Sequence, residues 1–164
     1  METKEIKKKD KIVVLIVGNH DSGKTTTIKR FEQIHDEANR EIRQCRIGWR
    51  KSVQLFLGRL DALLAMIYFI PSSPTEKHTH LSILLNNFLP EMLLMAEQLN
   101  GNEYNATIEF LNNNGYHIVE FRINQNANGG TWDQWEDNNM GNILLSRVTE
   151  IGNAFRNFII ERIQ

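Results

Sequence analysis

A chain of 164 residues is long enough for one domain, or for one domain carrying an insertion. Its 19 basic and 20 acidic side chains nearly cancel, which argues against a nucleic-acid partner or a broad polyanion surface. The single cysteine, Cys45, excludes an intrachain disulfide and fits a reducing, cytoplasmic compartment. No signal peptide is recognisable, and Glu2 departs from the N-myristoylation pattern. The longest apolar stretch, residues 60–70, contains Asp61, stops at Pro71 and is too short for a transmembrane segment.

Residues 1–11 read as a polar tail. Lys4, Lys7, Lys8, Lys9 and Lys11 crowd it, and Glu2, Glu5 and Asp10 dilute them. A solvated tail is one reading and a weak contact with the inner membrane surface the other. Residues 12–17 form an unbroken apolar run, as in a parallel strand covered on both faces. Residues 23–35 carry Ile28, Phe31 and Ile34 at helical spacing. Between strand and helix stand Gly18, Asn19, His20, Asp21, Ser22, Gly23, Lys24 and Thr25, a complete G-x-x-x-x-G-K-S/T phosphate loop in the strand–loop–helix context it requires.

The chemistry of that loop follows from its residues. Gly18 and Gly23 let the backbone curl, so that successive N–H groups point at phosphate oxygens. The helix adds its unpaired N–H groups and the positive end of its dipole. Lys24 would reach the β- and γ-phosphates, Thr25 would ligate Mg²⁺, and Thr26 would touch the α-phosphate side. The plainer alternative is a glycine-rich turn between strand and helix.

Farther along, Trp49, Val53, Phe56, Leu60, Leu64 and Ile67 recur at steps of three and four and predict a long amphipathic helix, ended by residues 71–74. Residues 81–99 predict two more helices, with Pro90 in the first turn of the second. Residues 112–115 and 128–130 read as turns, residues 119–123 as a half-buried strand, and residues 158–160 as a short strand in a final apolar pattern. His78 and His80 lack the further ligands a metal site needs, and Cys45 reads as an ordinary thiol.

Residues 12–66 resemble the start of a heterotrimeric G-protein alpha subunit. That family reads G-x-G-E-S-G-K-S-T at its loop and continues with a helix of the form I-V/I-K-Q-M-x-I-I-H. Here Asp21 to Thr26 are followed by Ile28-Lys29 and Ile34-His35 at the family's spacing. Arg46, Trp49, Arg50, Val53 and Gln54 resemble the helix that opens the family's all-helical domain, and Leu89, Pro90, Glu91 and Leu99 resemble a later one. Arg147, Val148 and Gly152 keep the spacing of the linker that leaves that domain, which implies an arginine-finger role for Arg147.

Several positions depart from the family. His20 stands where alpha subunits carry glycine, which crowds the γ-phosphate region. Glu150 stands where the switch threonine belongs, with Thr149 one position early. The D-x-x-G and N-K-x-D motifs are not recognisable. Asn126 to Gly129 and Asn124 to Ala127 lack the acids, and Glu161 to Gln164 stand where D-x-x-G would begin. The helix that docks the beta-gamma partner is not evident.

The expectation is therefore an α/β fold: a P-loop NTPase-like strand–loop–helix with a large, mostly helical insertion. It divides into a tail (1–11), a partial G domain (12–36), a mostly helical segment (37–140) open to protein partners, and a switch-like return (141–164). The expected activity is binding of GTP or GDP with Mg²⁺, with weak or absent hydrolysis, as in the N-terminal half of an alpha subunit. A small ATP-dependent kinase or ATPase and a non-enzymatic interaction module remain the alternatives.

Overall fold

The apolar run after Lys11 must be covered on both faces and along both edges. In the structure, a computed structural model that describes residues 10–19, 23–35, 49–56, 62–86, 88–123 and 137–163, it is the second strand from one edge of a five-stranded sheet. This strand, β1 (Lys11–Gly18), runs parallel to β4 (Met92–Gln98) on one side and β5 (Tyr116–Ile123) on the other, so Val14 lies between Leu94 and Val119. Beyond β4, β3 (Ala62–Ile70) is also parallel, and β2 (Trp49–Phe56) closes that edge antiparallel to β3. The order is β2-β3-β4-β1-β5.

Alternate residues of β1 serve opposite layers, as the period of two dictates. Ile12, Val14 and Ile16 pack with Ile28 and Phe31 of α1 (Lys24–His35) and with Val148, Ile151, Phe155 and Phe158 of α5 (Asp137–Ile163). Val13, Leu15 and Val17 pack on the opposite side with Leu81 and Leu85, at and just past α3 (Leu81–Leu84), and with Leu111 of α4 (Tyr104–Asn113). The one-turn α2 (Pro74–Lys77) begins at the Ser73 N-cap, whose hydroxyl accepts from Glu76 N at 3.0 Å. The chain is thus an α/β fold with helices on both faces of a mainly parallel sheet.

The strand at 12–17, the helix at 23–35 and the strand at 119–123 lie where expected. The middle of the chain does not. Of residues 49–67, expected as one helix, 49–56 lie in β2 and 62–67 in β3, paired antiparallel. An apolar run buried in a sheet cannot be told from a buried helix by spacing alone. Residues 81–99, expected as two helices, are α3 followed by β4, and Pro90 precedes the strand with its carbonyl accepting from the buried Tyr116 hydroxyl. A large helical insertion is not shown: the described residues of 37–140 hold β2, β3, β4, β5, three short helices and the start of α5. Residues 158–160 are helical, because the apolar face of α5 runs through them. Cys45, Arg46 and the turn at 128–130 lie outside the described residues.

No helix among the described residues is long and apolar enough to cross a membrane.

Phe31 is fully buried, with the Phe69 and Phe155 rings at centroid distances of 6.3 and 6.0 Å. Phe31→Ala is expected to lower stability by about 3–5 kcal/mol, read from urea unfolding. An unchanged midpoint would show that these rings do not join α1, the sheet and α5.

Candidate functional site

In open parallel sheets, ligands bind outside the carboxyl ends of the strands, where neighbouring strands send their chains to opposite faces. β1 and β4 meet this condition. β1 is followed by α1 on one face, and β4 by α4 on the other. Gly18 and Gln98 are register partners at the ends of the two strands, and Leu99 N donates to Gly18 O at 3.0 Å. The glycine-lysine loop begins at this point.

Gly23 has φ +89°, a conformation that glycine adopts without the penalty a Cβ brings. Its carbonyl accepts from Thr27 N at 2.9 Å and Thr27 Oγ1 at 2.7 Å, which fixes the first turn of α1. Lys24 is 4 % exposed, and its Nζ donates to Gly18 O at 3.1 Å and Asn19 O at 2.7 Å. The lysine therefore folds back on the carboxyl end of β1. Thr25 is half-buried, its Oγ1 donating to Pro71 O at 2.8 Å, whereas Thr26 is exposed. Hydroxyl and carbonyl oxygens are hard donors of the kind Mg²⁺ takes beside phosphate oxygens. His20, Asp21 and Ser22 lie outside the described residues.

Arg147 comes from α5 and reaches the same helix. Its Nη1 donates to Thr27 Oγ1 at 3.2 Å, one turn beyond Lys24. Burial pushes its guanidinium down to about 10, so the group is still protonated at neutral pH. Glu150 and Thr149 are exposed on the same helix. The last turn of α5 lies at the other end of the sheet, where Arg162 pairs with Asp10 and Glu91 beside the start of β1. Glu161 is thus remote from the loop. The candidates at 124–129 lie outside the described residues. His80 caps α3, its Nδ1 accepting from Ser82 N at 3.1 Å.

Two participants were not read from the sequence. Pro71, whose sequence context signals only the end of an element, supplies the carbonyl that Thr25 contacts. Glu97 is fully buried at the carboxyl end of β4. Its Oε1 accepts from Gln98 N at 2.8 Å and Thr75 N at 3.4 Å, and its Oε2 from Thr107 Oγ1 at 2.8 Å. An acid ending an apolar run is the available signal, hidden because the run fits a helical period as well as a strand.

A separate groove of about 490 Å³ lies between β5 and α5, lined in part by Val119, Phe121, Ala154 and Phe158, and no described residue of the loop borders it.

No protein-family model matches the chain, and neither a curated protein nor a solved structure matches it.

Gly23→Ala forces a Cβ into the left-handed region. It is expected to cost about 1–2 kcal/mol in urea unfolding. A neutral substitution would show that the loop does not depend on this backbone conformation.

Proposed function

We propose that the chain binds the polyphosphate of a nucleoside di- or triphosphate, together with Mg²⁺, through Gly18–Thr26. The observation that carries the reading is the buried Lys24 ammonium, held on the Gly18 and Asn19 carbonyls at the carboxyl end of β1. Arriving phosphate oxygens would compete with the Gly18 and Asn19 carbonyls for that ammonium. They would also meet the N–H groups at the start of α1. Thr25 supplies the hydroxyl for the cation, which in turn screens the phosphate charge.

The base is guanine on the resemblance to G-protein alpha subunits. That resemblance draws its support from residues 18–35. The helical-domain part of it has none, since residues 49–56 and 62–70 are strands. Hydrolysis is slow on this reading. An arginine finger contributes on the order of 10³–10⁵ in rate only with water and metal already positioned. Neither a D-x-x-G acid nor a correctly placed switch threonine is recognisable in the sequence. Arg147 bonded to Thr27 acts behind the loop, as a brace between α5 and α1.

Displacement of a fluorescent nucleotide by GTP, GDP and ATP tests the reading and decides the base. Lys24→Ala is expected to weaken binding tenfold or more, about 1.4 kcal/mol. Saturating ligand, at about 100 times Kd, should stabilise the parent by roughly 2.7 kcal/mol in thermal unfolding. Equal affinity in the variant would remove the loop from the site. Better displacement by ATP would replace the guanine reading with that of an ATP-dependent enzyme.

Single-turnover hydrolysis is expected to be slow and nearly unchanged by Arg147→Ala. A fast parent with a large loss in the variant would restore Arg147 as a finger.

A further inference from the structure

Thr25 joins the loop helix to the segment that leaves β3. Its Oγ1 donates to the carbonyl of Pro71, the first residue after that strand, across 46 positions of sequence. Beyond Pro71 the segment is fastened to the opposite layer. Thr75 N donates to Glu97 Oε1, and Thr75 Oγ1 accepts from Glu103 N at 3.2 Å. Gly101 is pressed against the same side chain, where a Cβ would fall 2.4 Å from Thr75 Oγ1. Residues 71–77 thus bridge the loop on one side of the sheet and the β4–α4 corner on the other.

A threonine hydroxyl has one proton and two lone pairs. With its proton given to Pro71, the Thr25 oxygen keeps its lone pairs for a cation. A cation drawing on those lone pairs makes the O–H a stronger donor, and hydrogen bonds in series reinforce one another. The Pro71 carbonyl stands in the outer position that orients a metal ligand, and it is a neutral group.

We propose that Pro71 is the positioning residue for Thr25, and that seating a cation and nucleotide tightens the Thr25–Pro71 bond and with it residues 71–77. The segment then reports the occupancy of the loop to the β4–α4 corner. This rests on the nucleotide reading above, and the experiment separates the two.

Amide hydrogen exchange at Thr75, Glu76 and Lys77 is measured with the full chain, first without ligand. Thr25→Val removes the hydroxyl and keeps the shape. Exchange at these amides should rise about fivefold, the effect of one lost hydrogen bond on local opening. Thr25→Ser should behave like the parent, which separates the hydroxyl from any packing change. Equal exchange in Thr25→Val and parent overturns the proposal, whatever the chain binds.

The parent is then measured with Mg²⁺ and GTP, with binding followed by equilibrium dialysis. Exchange should slow at least twofold in the parent and not in Thr25→Val. Demonstrated binding with unchanged or faster exchange overturns the coupling. Absence of binding by dialysis overturns the nucleotide reading and the coupling with it, and leaves the Thr25–Pro71 bond as a fastening of the fold.

Discussion

Ile12 to Val17 are at most 1 % exposed, so β1 needs apolar cover above, below and along both edges. The rest of the architecture answers that demand. β4 and β5 satisfy the backbone groups of its two edges, α1 and α5 cover Ile12, Val14 and Ile16, and α3 and α4 cover the other layer. Burial of this kind contributes on the order of 2 kcal/mol per large aliphatic side chain. The same arrangement leaves the carboxyl end of β1 as the place where chains depart to opposite faces. The loop inherits its position from the packing of the strand.

Three buried polar side chains near that end are satisfied internally. The Lys24 ammonium is paired with backbone carbonyls, Thr27 returns to the Gly23 carbonyl, and Glu97 accepts from two N–H groups and a hydroxyl. A buried charge without such partners would be strongly destabilising. These bonds also set the terms for a ligand, which gains affinity only by the difference between its own contacts and those it displaces. Arg147 obeys the same rule. Its place beside Thr27 makes it part of how α5 is held on α1, and the long α5 reaches the rest of the fold at widely spaced turns, among them Arg147 to Thr27, Phe155 to Phe31 and Arg162 to Asp10.

The strand–loop–helix unit was legible because its signals are local: an unbroken apolar run, two glycines at fixed spacing, and a helical stripe. The middle was not, because its signals are ambiguous in kind. Trp49, Val53, Phe56 and Leu60 satisfy a helical period, yet Val53 and Leu55 alternate with Ser52 and Gln54 as a strand should. Residues 62–70 are apolar throughout and fit either. What decides between them is pairing with β4, a contact between residues distant in sequence, such as Tyr68 with Leu93. The site suffered the same limit. Lys24 and Thr25 could be named from the motif, but Pro71 and Glu97 enter only through neighbours that the sheet order supplies.

That sheet order also fixes a sequence of events during synthesis. β1 is made well before its partners: Ile12 pairs with Met92, and Lys11 with Tyr116. At about 5–20 residues per second, the ribosome needs several seconds to deliver β4 after β1. Throughout that interval a six-residue apolar segment rich in valine and isoleucine has neither edge partner, which is the composition most prone to self-association. Lys7, Lys8, Lys9, Asp10 and Lys11 stand directly before it. Charges in that position oppose the stacking of nascent chains, the part that gatekeeper residues flanking an apolar strand play before a sheet exists.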